Sequence, residues 1–143
     1  MTTGSAVTFL LVEDDDVDVM GIKRALVELD VTNPLMIAHD GQEALDFLRG
    51  DNGKTKVSPP FVILLDLNMP RMNGIEFLDV IRNDDQLRSS IVFVLTTSNS
   101  QDDKIKAYNY NVAGYIVKSN TTNSFKAAVQ LLDYYCESVD LPT

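Results

Sequence analysis

The chain has 143 residues, 45% hydrophobic and 23% charged, the proportions of one folded domain around a single core and not of a disordered chain. Twelve Lys and Arg stand against 21 Asp and Glu, a formal net charge of -9, so phosphate backbones would be repelled and nucleic acid is excluded as the primary ligand. With no apolar run near the roughly 20 residues that cross a bilayer, no signal-peptide pattern at the N-terminus and one cysteine, Cys136, which cannot form an internal disulfide, a cytoplasmic protein without a membrane partner is expected.

The first apolar run, Phe9 to Val12, has strand length and leads into Glu13-Asp14-Asp15-Asp16. Val19, Ile22, Leu26 and Leu29 then recur at helical spacing, which predicts an amphipathic helix from about Asp16 to Leu29. Asp15 and Asp16 read as capping residues, because carboxylates favour the positive end of a helix dipole. A second strand is expected over Leu35 to Ala38. His39, the only histidine, has no cysteine or second histidine to join it at a metal and reads as a loop residue.

After the turn signal Asp40-Gly41, a helix follows through Ala44, Leu45 and Leu48. Gly50 to Pro60, polar and ending in Pro59-Pro60, reads as a long surface loop. The third strand, Phe61 to Leu65, stops at Asp66. Met69-Pro70 and Asn73-Gly74 close the next loop, before a helix through Ile75, Leu78 and Ile81. Ile91 to Leu95 is the fourth strand, followed by Thr96-Thr97-Ser98 and a weaker, polar helix from about Asp102 to Tyr110. The fifth strand, Tyr115 to Val117, runs into Lys118. The last helix runs from about Thr122 to Cys136, with Thr121, Thr122 and Asn123 as candidate caps and Cys136 packed on one face. Tyr134 and Tyr135 cover the core edge or feed an interface; the sequence leaves both open.

The first, third and fourth strands are nearly continuous in Val, Ile, Leu and Phe, as strands covered on both faces are. Five βα repeats of this kind predict a parallel sheet with right-handed crossovers and helices on both sides, an α/β fold in three layers.

Ligands of such sheets gather beyond the carboxyl ends of the strands. There the sequence puts Glu13 and Asp14, Asp66, Thr96 and Lys118. Clustered carboxylates repel, and a hard divalent cation relieves the conflict. Mg²⁺ fits, with Asp14 and Asp66 as direct ligands, Glu13 through water, and the backbone carbonyl of Asn68 as a further donor. A carboxylate can also act as nucleophile toward phosphorus. Asp66, at the end of the central strand, is the candidate phosphoacceptor, with Lys118 and the Thr96 hydroxyl as phosphoryl-binding groups. Taken singly, Asp66 could be a turn residue, Thr96 a strand-end hydroxyl and Lys118 a surface amine; their joint placement carries the reading.

These motifs resemble the receiver domain of two-component response regulators over nearly the whole chain. The residues that carry the likeness are Glu13-Asp14 after Phe9-Leu10-Leu11-Val12, Asp66-Leu67-Asn68-Met69-Pro70 with Asn73-Gly74, Leu95-Thr96-Thr97-Ser98, and Gly114-Tyr115-Ile116-Val117-Lys118. The resemblance implies a flavodoxin-like αβα sandwich of strand order 2-1-3-4-5, a single receiver domain over 1-143 with its core at about 8-137. It implies phosphorylation of Asp66 from a phosphohistidine on a sensor histidine kinase. It also implies a switch in which Thr96 moves toward the phosphoryl group and the Tyr115 ring swings inward. The long loop before the third strand, Leu-Thr-Thr-Ser, and the ending from Asp133-Tyr134-Tyr135 to Leu141-Pro142 are similar to small regulators paired with bacteriophytochrome kinases, many of which form homodimers through the last strand and helix. One departure stands out. The family usually has a proline after the lysine, joined by a cis peptide, where this chain has Ser119. A cis bond there costs about 3 kcal/mol, so either that strain is kept or the loop takes another path.

Two other functions compete. A phosphohydrolase working through an aspartyl-phosphate usually has an acid two residues beyond its nucleophile, and Asn68 stands there. A receiver-like binding module that takes no phosphate is the other; uptake of phosphate from acetyl phosphate with Mg²⁺ separates it from the switch.

Overall fold

The computed structural model describes residues 7–119 and 123–143. Its elements alternate along the chain: β1 Thr8–Val12, α1 Asp16–Glu28, β2 Leu35–Ala38, α2 Gly41–Arg49, β3 Phe61–Leu65, α3 Gly74–Arg82, β4 Ile91–Thr96, α4 Gln101–Asn109, β5 Gly114–Val117 and α5 Asn123–Ser138. The strands form one parallel sheet of order β2-β1-β3-β4-β5, the order implied by the receiver resemblance. Three expected strand boundaries move by one residue: β1 begins at Thr8, β4 runs on to include Thr96 and β5 begins at Gly114; α1 and α4 also end one residue earlier than expected. The candidate caps Thr121 and Thr122 lie outside the described residues.

Alternation within each strand explains why the runs are continuously apolar. Leu10, Val12, Ile63, Leu65, Val92 and Val94 point to one face and pack with α2 and α3 through Leu45, Leu48, Phe77, Leu78 and Ile81. Their neighbours Phe9, Leu11, Val62, Leu64, Phe93 and Leu95 point to the other and pack with α1 and α5 through Val19, Ile22, Val129 and Leu132. Each buried Leu, Ile or Phe contributes roughly 1.5–3 kcal/mol, so these two layers hold the sheet's central strands in fixed register. Helix α4 contributes only Ala107 to the buried residues and leaves Ile105 and Tyr108 in solvent. It is the helix least committed to the core.

The helix starts follow the sequence. Asp15 caps α1 by accepting from the Val17 amide at 2.9 Å, and Asp40 caps α2 by accepting from Glu43. Asn73 and Glu76 form a reciprocal capping box on α3. Gly50 ends α2 in the left-handed region, φ 73°, which suits a residue with no Cβ. The loop after it is less superficial than its polarity suggests, because Val57 is buried and its amide donates to Phe47 O at 2.9 Å. The two tyrosines left open separate here: Tyr135 meets Phe93 edge-on, with centroids 5.0 Å apart, while Tyr134 is 72% exposed. Cys136 is buried as expected, and burial first, then Asp133 and Glu137, push its thiol up to about 11. His39 is an exposed residue after β2 whose ring lies 2.9 Å from Glu43.

Candidate functional site

Register brings the strand ends together. Val12 pairs with Leu65, so Glu13 and Asp66 leave adjacent strands at the same level. Thr96 pairs with Val117 across β4 and β5, which puts Lys118 one step beyond, its amide bonded to Thr96 O at 2.7 Å. The carboxyl edge of the sheet therefore carries every side chain expected there.

Glu13, Asp14 and Asp66 each offer a carboxylate oxygen, all within 4.8 Å of one another. Glu13 and Asp66 are buried, while Asp14 is exposed. A hard, all-oxygen donor set of this charge fits a divalent cation of the Mg²⁺ class. Burial is the largest influence on Glu13 and pushes its carboxyl up; the Lys118 hydrogen bond pulls it down, and the charge of Asp66 pushes it up again. The balance places it at about 8.

Among the described residues, Lys118 is the cation paired with this cluster. Its side chain is 5% exposed, and its ammonium sits 2.6 Å from Glu13 Oε1, 2.6 Å from Asp18 Oδ2 and 3.7 Å from Asp66 Oδ2. Burial alone would lower its proton affinity, but the hydrogen bonds to Asp18 and Glu13 outweigh that and hold the amine above its ordinary value. It stays an ammonium throughout neutral pH. Asp18, in the first turn of α1, was not a candidate from the sequence. An acidic residue one turn into a helix looks like a solvated dipole partner, and no local signal shows that it faces Lys118.

The loop holding the Asp66 carboxyl is tightly shaped. Asn68 is exposed, and its amide lies 3.4 Å from Asp66 Oδ1. A Cβ at Gly74 would stand 2.6 Å from Asp66 O and 2.7 Å from Leu67 Cα, so only glycine lets α3 start so close to that loop. Arg71 donates to Asp40 Oδ2 at 2.7 Å and ties the loop to the start of α2.

On the other flank, Thr96 is fully buried, and its hydroxyl accepts from the Ser98 amide at 3.3 Å. Tyr115 donates its hydroxyl proton to Ser98 O at 2.9 Å, and Ser98 Oγ donates to Asp103 in α4 at 2.6 Å. Thr96, Tyr115 and α4 thus meet at Ser98. The Lys118–Ser119 peptide is not cis; among the described residues the cis peptide is Pro59–Pro60. A retained cis bond before Ser119, the first of the two alternatives, is therefore not what the chain adopts.

Known proteins match this arrangement. The profile of the response regulator receiver domain fits residues 9–130. The response regulator Rcp1 of Synechocystis is 38% identical over 93% of this chain and 91% of its own length. A probable methanogenesis regulatory protein, FilR2 of Methanothrix harundinacea, is 39% identical over 88% of this chain and 81% of its own. Among solved structures, the phosphorylated cyanobacterial phytochrome response regulator RcpA superposes with a TM-score of 0.87 at 34% identity, covering 96% of this chain and 99% of that one. The Mn²⁺-bound form of Rcp1 gives 0.85 at 34% identity with the same coverage.

Proposed function

The chain belongs to the response regulator receiver family, and from that premise we propose that it is a single receiver unit switched by phosphorylation of Asp66. It is a signalling protein of the phytochrome-linked type, and no helix among the described residues is long and apolar enough to cross a membrane. The observation that carries the proposal is a buried carboxylate, Asp66, flanked by two further carboxylates and by an ammonium 3.7 Å away.

In the reaction, an Asp66 oxygen attacks the phosphorus of a phosphohistidine on a sensor histidine kinase. The P–N bond breaks, an acyl phosphate P–O bond forms, and the imidazole leaves with its electron pair. Lys118 donates to a phosphoryl oxygen, and the Thr96 hydroxyl to another; the 3.7 Å between the Lys118 ammonium and Asp66 supports the first role. Asp14, Asp66 and the Asn68 carbonyl, with Glu13 through water, would hold Mg²⁺, which would supply charge neutralisation to the transferring group.

The added charge of about -1.5 to -2 then draws Thr96 inward. Because the Thr96 hydroxyl accepts from Ser98, and Ser98 bonds both Tyr115 and α4, that motion reaches α4, which little burial restrains. Ile105, Tyr108 and Val117 on α4 and β5, with Leu131 and Tyr134 on α5, are exposed apolar side chains. They support an output by homodimerisation through the last strand and helix, or by binding another protein.

Incubation with acetyl phosphate and Mg²⁺ tests this. One labile phosphate per chain should appear, depend on the cation, and vanish in Asp66→Asn. Absence of incorporation in the wild type would favour the unphosphorylated binding module. Sedimentation with and without the phosphodonor reads the dimer, and a monomer in both states would remove that output.

A further inference from the structure

Lys118 is held by more than the phosphoryl site explains. Its buried ammonium has three N–H donors; Glu13 and Asp18 each sit 2.6 Å away, while Asp66 at 3.7 Å is beyond a hydrogen bond. We propose that Asp18 is a positioning residue that anchors the Lys118 ammonium so that its remaining N–H faces a phosphoryl group on Asp66. The proposal rests on the reading of Asp66 as phosphoacceptor.

Two features single out Asp18. Glu13 belongs to the carboxylate cluster that fits a divalent cation, and Asp18 does not. A cation bound there competes for the negative charge of Glu13 and leaves Asp18 as the undivided partner of Lys118. Asp18 also stands on a rigid element, the first turn of a helix whose start is fixed by the Asp15 cap. A buried ammonium also needs paired charge, since an unpaired one is costly.

Asp18→Asn keeps the shape and removes the charge; Asp18→Glu keeps the charge on a longer arm. With acetyl phosphate as donor, Asp18→Asn should be labelled roughly ten- to hundredfold more slowly than wild type, the range for misplacing one positioned charged donor. Mg²⁺ affinity by calorimetry should stay within about twofold, because Asp18 lies outside the cluster. NMR titration of ¹³Cε-labelled lysine should show the Lys118 ammonium losing its proton at lower pH in Asp18→Asn, with Asp18→Glu recovering most of the rate and the titration. Labelling of Asp18→Asn at or above the wild-type rate would make Asp18 a competitor for Lys118 and overturn the proposal. A slowed rate with unchanged Lys118 titration would overturn it too. If the wild type itself takes no phosphate at Asp66, the phosphoacceptor reading fails separately, and the titration, which needs no phosphate, still decides whether Asp18 holds the amine.

Discussion

Mg²⁺ binding should depend steeply on pH, through one carboxyl. Glu13 without metal sits at about 8, raised first by burial and again by the charge of Asp66. A carboxyl that helps hold a cation must give up its proton first. At pH 7 roughly nine in ten molecules carry that proton, which weakens apparent affinity about tenfold relative to pH 9; at pH 6 the factor is roughly a hundred. Lys118 adds no slope over that range, because it is held above the ordinary lysine value. Calorimetry at pH 6, 7, 8 and 9 in buffers of different ionisation heat reads both the affinity and the proton released, which should approach one per cation at pH 7. In Glu13→Gln the slope should flatten. The sign for folding follows from the same group. The folded chain binds this proton more tightly than the unfolded one, so metal-free stability falls as pH rises from about 4.5 toward 8, and saturating Mg²⁺ cancels the fall. A wild-type affinity that is flat from pH 6 to 9 would refute the reasoning.

Three other perturbations probe the surrounding frame. Gly74→Ala puts a methyl 2.6 Å from Asp66 O; it should cost about 1–3 kcal/mol in urea denaturation and slow phosphorylation, and a change under about 0.5 kcal/mol would mean that the loop yields freely. Arg82 donates to the carbonyls of Tyr110, Asn111, Arg88 and Ser90. Arg82→Met should lower stability by about 2 kcal/mol while leaving acetyl phosphate labelling near wild type, because these loops lie at the opposite edge of the sheet. Thr96→Ala should still accept phosphate on Asp66 but blunt the dimerisation or partner response read by sedimentation; an undiminished response would uncouple Thr96 from the switch.

The sheet was legible because its central strands are buried on both faces. That forces unbroken apolar runs at β1, β3 and β4, and few other structures need them. The start of α1 was legible because a cap is chemistry between neighbours in sequence, and Asp15 satisfies the amide two residues on; Asp40 and Asn73, read as turn residues, each cap a helix by satisfying the amide three residues on. Strand ends blurred by one residue, as at Thr96, where buried hydroxyl and buried aliphatic positions follow the same alternation. The Gly50 to Pro60 loop concealed a core residue, Val57, because one apolar side chain among polar neighbours carries no period to read.

By itself the sequence determined the order of elements, the strand-end carboxylates, the hydroxyl and the amine, and through them the family. Each is a property of residue type and spacing along the chain. Only the tertiary structure decided what the amine does: Lys118 turns to Asp18 and Glu13, residues 100 and 105 positions away. It likewise decided that Tyr135 packs on Phe93 while its neighbour Tyr134 faces solvent, and that Glu13 holds its proton to about pH 8. Those outcomes depend on the rotation of helices about their axes and on how much water burial removes, and both are set by the whole packed core.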